Sequence, residues 1–100
     1  MFSTLVYAIG SPIQTGTMDV GPQDGRQTEV TVSFSTPFAE PPVVVANALQ
    51  DESTNTPIQD SFTVSIVSVS RNQFVARIYR VDEDDGWAQK LDLNWIAISR

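Results

Sequence analysis

Within Thr28-Glu29-Val30-Thr31-Val32-Ser33-Phe34-Ser35, polar and apolar residues alternate at every step from Glu29 onward, sending Val30, Val32 and Phe34 to one side and Glu29, Thr31 and Ser33 to the other. A two-residue period marks a strand with one face buried and one wet, as in an antiparallel sheet. The same alternation recurs between turn signals along the chain, whereas a 3.6-residue helical period is hard to find. Strands are predicted over 14–20, 28–35, 43–49, 61–69, 73–81 and 90–99. Pro37, Pro41 and Pro42 break the pairing after the second strand, because proline donates nothing to a ladder. Residues 51–57 have a loop composition, Arg71-Asn72 makes a short turn, and 82–86 forms a longer hairpin loop. In the fourth strand Phe62, Val64 and Ile66 share one side while Val67 and Val69 take the other, a phase change that predicts a bulge near Ile66.

Six short antiparallel strands stack as two sheets, since a single sheet would leave an apolar face in water. The predicted class is therefore all-β, a six-stranded antiparallel β-sandwich. Two strands are apolar on both faces. Val44, Ala46 and Ala48 lie opposite Val43, Val45 and Leu49, and Ile96 and Ile98 lie opposite Leu93, Trp95 and Ala97. A small sandwich covers one face of each sheet, so this excess implies either a thick covering loop or a subunit interface.

The 100 residues fit one domain, and a chain of this size buries about two thirds of its unfolded surface in a single core. The chain has no cysteine, which leaves the redox compartment open. It has no histidine either, which removes Ser-His-Asp and Cys-His catalysis and the commonest zinc ligand. Twelve acidic residues against six basic ones give a net charge of −6, so nucleic acid is repelled and is not an expected partner. Residues 1–13 carry no positive charge and one short apolar run, Leu5 to Ile9, which fits neither a signal peptide nor a membrane span. They are expected to form an arm or extra strand, without membrane insertion. The run Asp82-Glu83-Asp84-Asp85 lacks the alternating ligands and distal Glu of a calcium loop and reads as a solvated hairpin tip. Asp84 and Asp85 are adjacent in a turn rather than opposed across a cleft, so no catalytic pair, metal site or cofactor is expected.

Four phrases, in this order, resemble the H-type lectin domain: Gln14-Thr15-Gly16-Thr17-Met18-Asp19-Val20-Gly21, then Ser35-Thr36-Pro37-Phe38-Ala39-Glu40-Pro41-Pro42-Val43-Val44-Val45, then Phe74-Val75-Ala76-Arg77-Ile78-Tyr79, and finally Leu93-Asn94-Trp95-Ile96-Ala97-Ile98-Ser99. The resemblance runs from Gln14 to Ser99 and implies a domain over 14–100. It implies a homotrimer of parallel subunits, matching the interface expected from the doubly apolar strands. It also implies a shallow, metal-free site between subunits for terminal N-acetylgalactosamine or galactose, built from a carboxylate, an arginine and aromatic rings. A planar acceptor pair suits a vicinal diol, and an aromatic face suits the C–H face of a sugar. The family's disulfide partners fall on Val20 and Ile78, two aliphatic residues that can fill the site of a cystine.

Carried over position by position, the carboxylate falls in the loop Pro22 to Gln27, with Asp24 the best candidate, Gln23 nearly equal to it, and Arg26 in the same loop. Asp24-Gly25 also reads as an ordinary turn. The family's arginine falls at Asp60-Ser61, and Ser61 supplies no guanidinium. The aromatic and histidine pair falls near Val81 and Asp82, while Trp87 stands five residues further on, placed either to cover a sugar or to pack at a trimer interface. Arg80 is a candidate donor, or else a solvated charge at a strand end. The expected function is a non-catalytic lectin gaining avidity from several weak sites. The alternative is a structural or assembly trimer, such as a phage or appendage domain, that keeps the sandwich and has lost the sugar. A lectin role implies action outside the cell or at its surface.

Overall fold

The computed structural model describes residues 12–50, 61–82, 86–87 and 90–100. Residues 1–11 of the arm expected over 1–13, the loop over 51–57, and residues 83–85 of the hairpin loop expected over 82–86 lie outside these residues, while Ile13 opens the first strand. Six strands are present: β1 (Ile13–Asp19), β2 (Gln27–Ser33), β3 (Val43–Gln50), β4 (Phe62–Val69), β5 (Gln73–Arg80) and β6 (Leu91–Ile98). They form two antiparallel three-stranded sheets, ordered β1-β6-β3 and β2-β5-β4. The central strands β6 and β5 carry the most deeply buried side chains. Leu91, Leu93 and Ala97 of β6 and Phe74, Ala76 and Ile78 of β5 are completely buried.

The sheets meet through aromatic rings. Trp95 of β6 lies 5.4 Å from Phe74 of β5 and 5.9 Å from Phe34, measured between ring centroids. The indole crosses β1 at Gly16, its register partner, where an added Cβ would sit 2.7 Å from the ring. Any larger residue there displaces the tryptophan. Phe34 also packs edge-on against Phe38 at 4.9 Å, and the Phe38 amide donates to the Arg71 carbonyl while Arg71 Nε donates back to the Phe38 carbonyl, both at 2.9 Å. These contacts tie the proline-rich corner to the β4–β5 turn. Val20 and Ile78, where the resemblance placed a cystine, are both buried in the core.

The predicted bulge is present between Ile66 and Ser68, but its outcome differs from the expected change of face. Val67 is the extra residue and is 45% exposed, whereas Val69 pairs with Phe74 and returns to the core side. The bulge absorbs the phase change instead of passing it on.

The outer faces of the two sheets differ in chemistry. On β2-β5-β4 the outward residues include Glu29 and Arg77, an exposed ion pair at 2.7 Å, with Thr31, Ser65 and Gln27 around it. On β1-β6-β3 the register lays the outward side chains in four rungs across the strands. The first holds Ile13, Ile98 and Val43, and the second Thr15, Ile96 and Val45. The third holds Thr17, Asn94 and Asn47, and the fourth Asp19, Asp92 and Leu49. Ile13, Val43, Val45, Leu49 and Ile98 are 40–56% exposed, so the apolar excess on this sheet is open to solvent in the single chain. Gly16→Ala is expected to lower the urea midpoint and change the near-ultraviolet dichroism of Trp95; an unchanged spectrum and midpoint would show that β1 yields without disturbing the ring.

Candidate functional site

Antiparallel pairing collects the candidate loop residues at one end of the second sheet. Arg26 precedes β2, Ser61 precedes β4, and Arg80 to Trp87 follow the ladder out of β5, so three chain segments leave the sheet side by side. Backbone bonds extend the ladder beyond the strands, from the Arg80 amide to the Arg26 carbonyl and from the Val81 amide to the Ser61 carbonyl, each 2.9 Å.

Arg80 was expected as a ligand donor or else a solvated charge at a strand end, and it is not a solvated charge. The residue is only 8% exposed; its Nε donates to Asp82 Oδ1 at 2.6 Å and its Nη1 donates to the Gly86 carbonyl. The other Asp82 oxygen accepts from the Ser61 amide at 3.0 Å. A buried charge persists only with such partners, so the guanidinium and carboxylate hold the loop onto the sheet end rather than face solvent. Arg26 adds to this knot, donating through Nη1 to the Asp82 carbonyl at 2.7 Å while its guanidinium lies 6.0 Å from the Tyr79 ring centroid. Asp82 therefore receives bonds on both its side chain and its backbone.

Trp87 departs furthest from expectation. Both roles foreseen for it require an exposed ring, yet it is 4% exposed and stands edge-on to Phe62, with centroids 5.0 Å apart. Its Nε1 is buried with no partner among the described residues. The cause lies in the backbone. The Trp87 and Gln23 amides donate to each other's carbonyls at 2.8 and 2.9 Å, and Gly86 adopts a φ of +72° that turns the chain inward just before the indole. A Cβ on Gly86 would lie 2.5 Å from the Gln23 carbonyl oxygen and 2.6 Å from that of Asp24, so only glycine fits.

The loop before β2 is thereby pinned by its backbone, and its outer side chains remain open. Asp24 is exposed and makes no side-chain hydrogen bond among the described residues, and the same holds for the Ser61 hydroxyl. Asp24-Gly25 is not a type I′ turn, since Gly86 is the positive-φ glycine among the described residues. Chemically, this end of the domain offers a free carboxylate and a hydroxyl beside a partly buried guanidinium, acceptors and donors suited to a polyol. No group of three or more metal-ligating side chains occurs among the described residues. The inward role of Arg80 was legible in part, because Arg80 and Asp82 are two apart at a strand end and fall on one side. The roles of Gly86 and Phe62 had no local signal.

The described residues thus form a two-layer antiparallel sandwich with a hydrogen-bonding loop cluster at one end of its second sheet. Residues 29–98 match the H-type lectin domain, and the chain belongs to that family. The match includes Ser61, Arg80, Asp82 and Trp87, while Gln23, Asp24 and Arg26 precede it. No curated protein matches the sequence. Among solved structures, the chain is similar to the fibre of the P. aeruginosa R1 pyocin, with 25% identity and a TM-score of 0.70 over 88% of this chain and 23% of that one. It is similar as well to the tailspike gp49 of Pseudomonas phage LKA1, at 18% identity and a TM-score of 0.68, covering 88% of this chain and 15% of the other. The tailspike gp61 of Pseudomonas phage phi297 gives 14% identity and a TM-score of 0.67 with the same two coverages, 88% and 15%. The chain thus spans less than a quarter of each of these proteins.

Asp82→Ala leaves the Arg80 guanidinium buried without its carboxylate and is expected to cost about 3 kcal/mol in denaturant unfolding. A loss below about 0.5 kcal/mol would show that the knot is dispensable. Gly86→Ala forces a side chain into the left-handed region and is expected to cost about 1–3 kcal/mol by the same measurement.

Proposed function

We propose that this domain binds terminal N-acetylgalactosamine or galactose through the exposed loop at Asp24, as a homotrimer assembled on the outer face of β1-β6-β3. Membership of the H-type lectin domain family is the observation that carries the reading. The Asp24 carboxylate, free of internal partners on a loop pinned by the Gln23–Trp87 pair, would accept from two adjacent sugar hydroxyls. Arg26 in the same loop and Ser61 just before β4, across β5, are the candidate donors at this sheet end, and Gln23 fixes the loop through its backbone. Arg80, Asp82 and Trp87 act behind the site as its supports. A single shallow site of this kind binds at about the millimolar level, and linking three raises avidity by roughly 10² to 10⁴. The exposed aliphatic rungs of the first sheet give such an assembly its surface.

A second reading, a structural or assembly module of a fibre, draws on a different observation. Solved structures similar to this chain include a pyocin fibre and phage tailspikes, and the Arg80 guanidinium is engaged with Asp82 and Gly86. A glycan array separates the two. Asp24→Ala, an exposed change with little effect on stability, is expected to weaken binding at least tenfold, as loss of a charge-assisted hydrogen bond would. A folded wild-type assembly that retains no glycan would favour the structural module, and undiminished binding by Asp24→Ala would move the site elsewhere.

A further inference from the structure

We propose that the third rung of the outer β1-β6-β3 face, Thr17, Asn94 and Asn47, sets the axial register in which copies of this chain assemble. The inference rests on the reading of that face as the assembly surface. The two rungs beside it are opposite in character: Ile96 and Val45, with Thr15, on one side, and the facing carboxylates of Asp19 and Asp92, with Leu49, on the other. Like charges directly opposite each other disfavour a dry contact, so the close-packed part of the interface runs from the first rung and ends at the third.

Another copy of the chain is the occupant that this pattern fits. Twelve acidic residues make any two copies repel at distance, yet the first three rungs contain no charged residue and form the neutral part of an acidic protein. The third rung also complements itself. Thr17 Oγ1 donates to Asn94 Oδ1 at 2.9 Å, which leaves Asn94 Nδ2 as an outward donor, and Asn47 makes no side-chain hydrogen bond among the described residues. An aliphatic partner would bury these groups unsatisfied, whereas an identical rung brings an amide donor to an amide acceptor.

Register follows from the order of the rungs. Copies aligned parallel at equal height match aliphatic with aliphatic and amide with amide. A slip of one rung, two residues or about 7 Å, sets amides against Val45 and Ile96 of one copy and against Asp19 and Asp92 of another. An antiparallel pair centred on the third rung sets the second rung against the acidic fourth. A polar layer of this kind selects one alignment and adds little to affinity, as a buried asparagine does in a coiled coil.

The chain has no cysteine, so a single Ser99→Cys carries a spin label on every copy. With light scattering for mass and electron double resonance for distance, the otherwise wild-type protein is expected to give one mass and one narrow inter-copy distance. Asn47→Val/Asn94→Val is expected to stay assembled, with equal or higher thermal stability, and to show a broadened distance distribution, because an axial slip of about 7 Å adds in quadrature to the lateral separation of the labels. The single Asn47→Val, on the edge strand β3 where a β-branched residue suits the strand, decides the matter if the double variant does not fold. An unchanged narrow distance in an assembled variant overturns the register role, and so does a folded variant that falls to monomers, since the amides would then supply affinity. A monomeric wild-type protein overturns the assembly reading itself, and the register role with it.

Discussion

The contact of Trp95 with Phe74 and Phe34 joins the two sheets, and most other features of the domain are arranged so that it can form. Each sheet has three strands and is too narrow to bury much by itself. A large ring from the central strand of one sheet, set against rings from the other, fills the space between layers at small cost in side-chain entropy, because an indole has two side-chain torsions to fix. That choice dictates the glycine on the neighbouring strand, since the indole occupies the volume that a side chain at Gly16 would need. It also dictates the corner after β2, where Phe38 packs against Phe34 and the backbone is tied to Arg71. The packing interior and the proline-rich corner are thus one arrangement.

At the far end of the second sheet a different constraint operates. Three segments leave the sheet together, and their backbone groups must find partners. Arg80 and Asp82 supply several at once, with one guanidinium reaching a carboxylate and a carbonyl, and the carboxylate reaching an amide. Polar residues that in isolation invite a ligand are thereby committed to the fold. Trp87 closes over Phe62 for a related reason, because the bond pair to Gln23 leaves its side chain no direction but inward. The buried indole nitrogen, without a partner among the described residues, is the cost of that closure.

How much of this was legible in the chain depends on the range of the interaction. Strands such as β2 and β6 declare themselves through period-two patterns, and every predicted strand lies within two residues of an observed one. The doubly apolar β3 and β6 likewise foretold an exposed aliphatic face, and the register assembles their outward residues on one sheet. Val69 was misplaced because alternation alone cannot say where an extra residue is absorbed, and the pairing with Phe74 decides it. The loop cluster was foreseen as a neighbourhood and misread in its parts. Asp24 and Ser61 are exposed, whereas the burial of Trp87 follows from a left-handed glycine and a bridge to a loop far away in the chain. No pattern near Trp87 records either.

The Gln23–Trp87 bridge has one more consequence. It grips its loop through amides and carbonyls, which every residue but proline possesses, and, apart from Arg26 with its bond to the Asp82 carbonyl, asks nothing of the side chains between Gln23 and β2. The other residues there can be exchanged over generations while the path of the chain stays fixed. The domain therefore separates inheritance of shape from inheritance of specificity: the same scaffold can pass from one recognised surface to another, or to none, by point substitutions that its stability hardly registers.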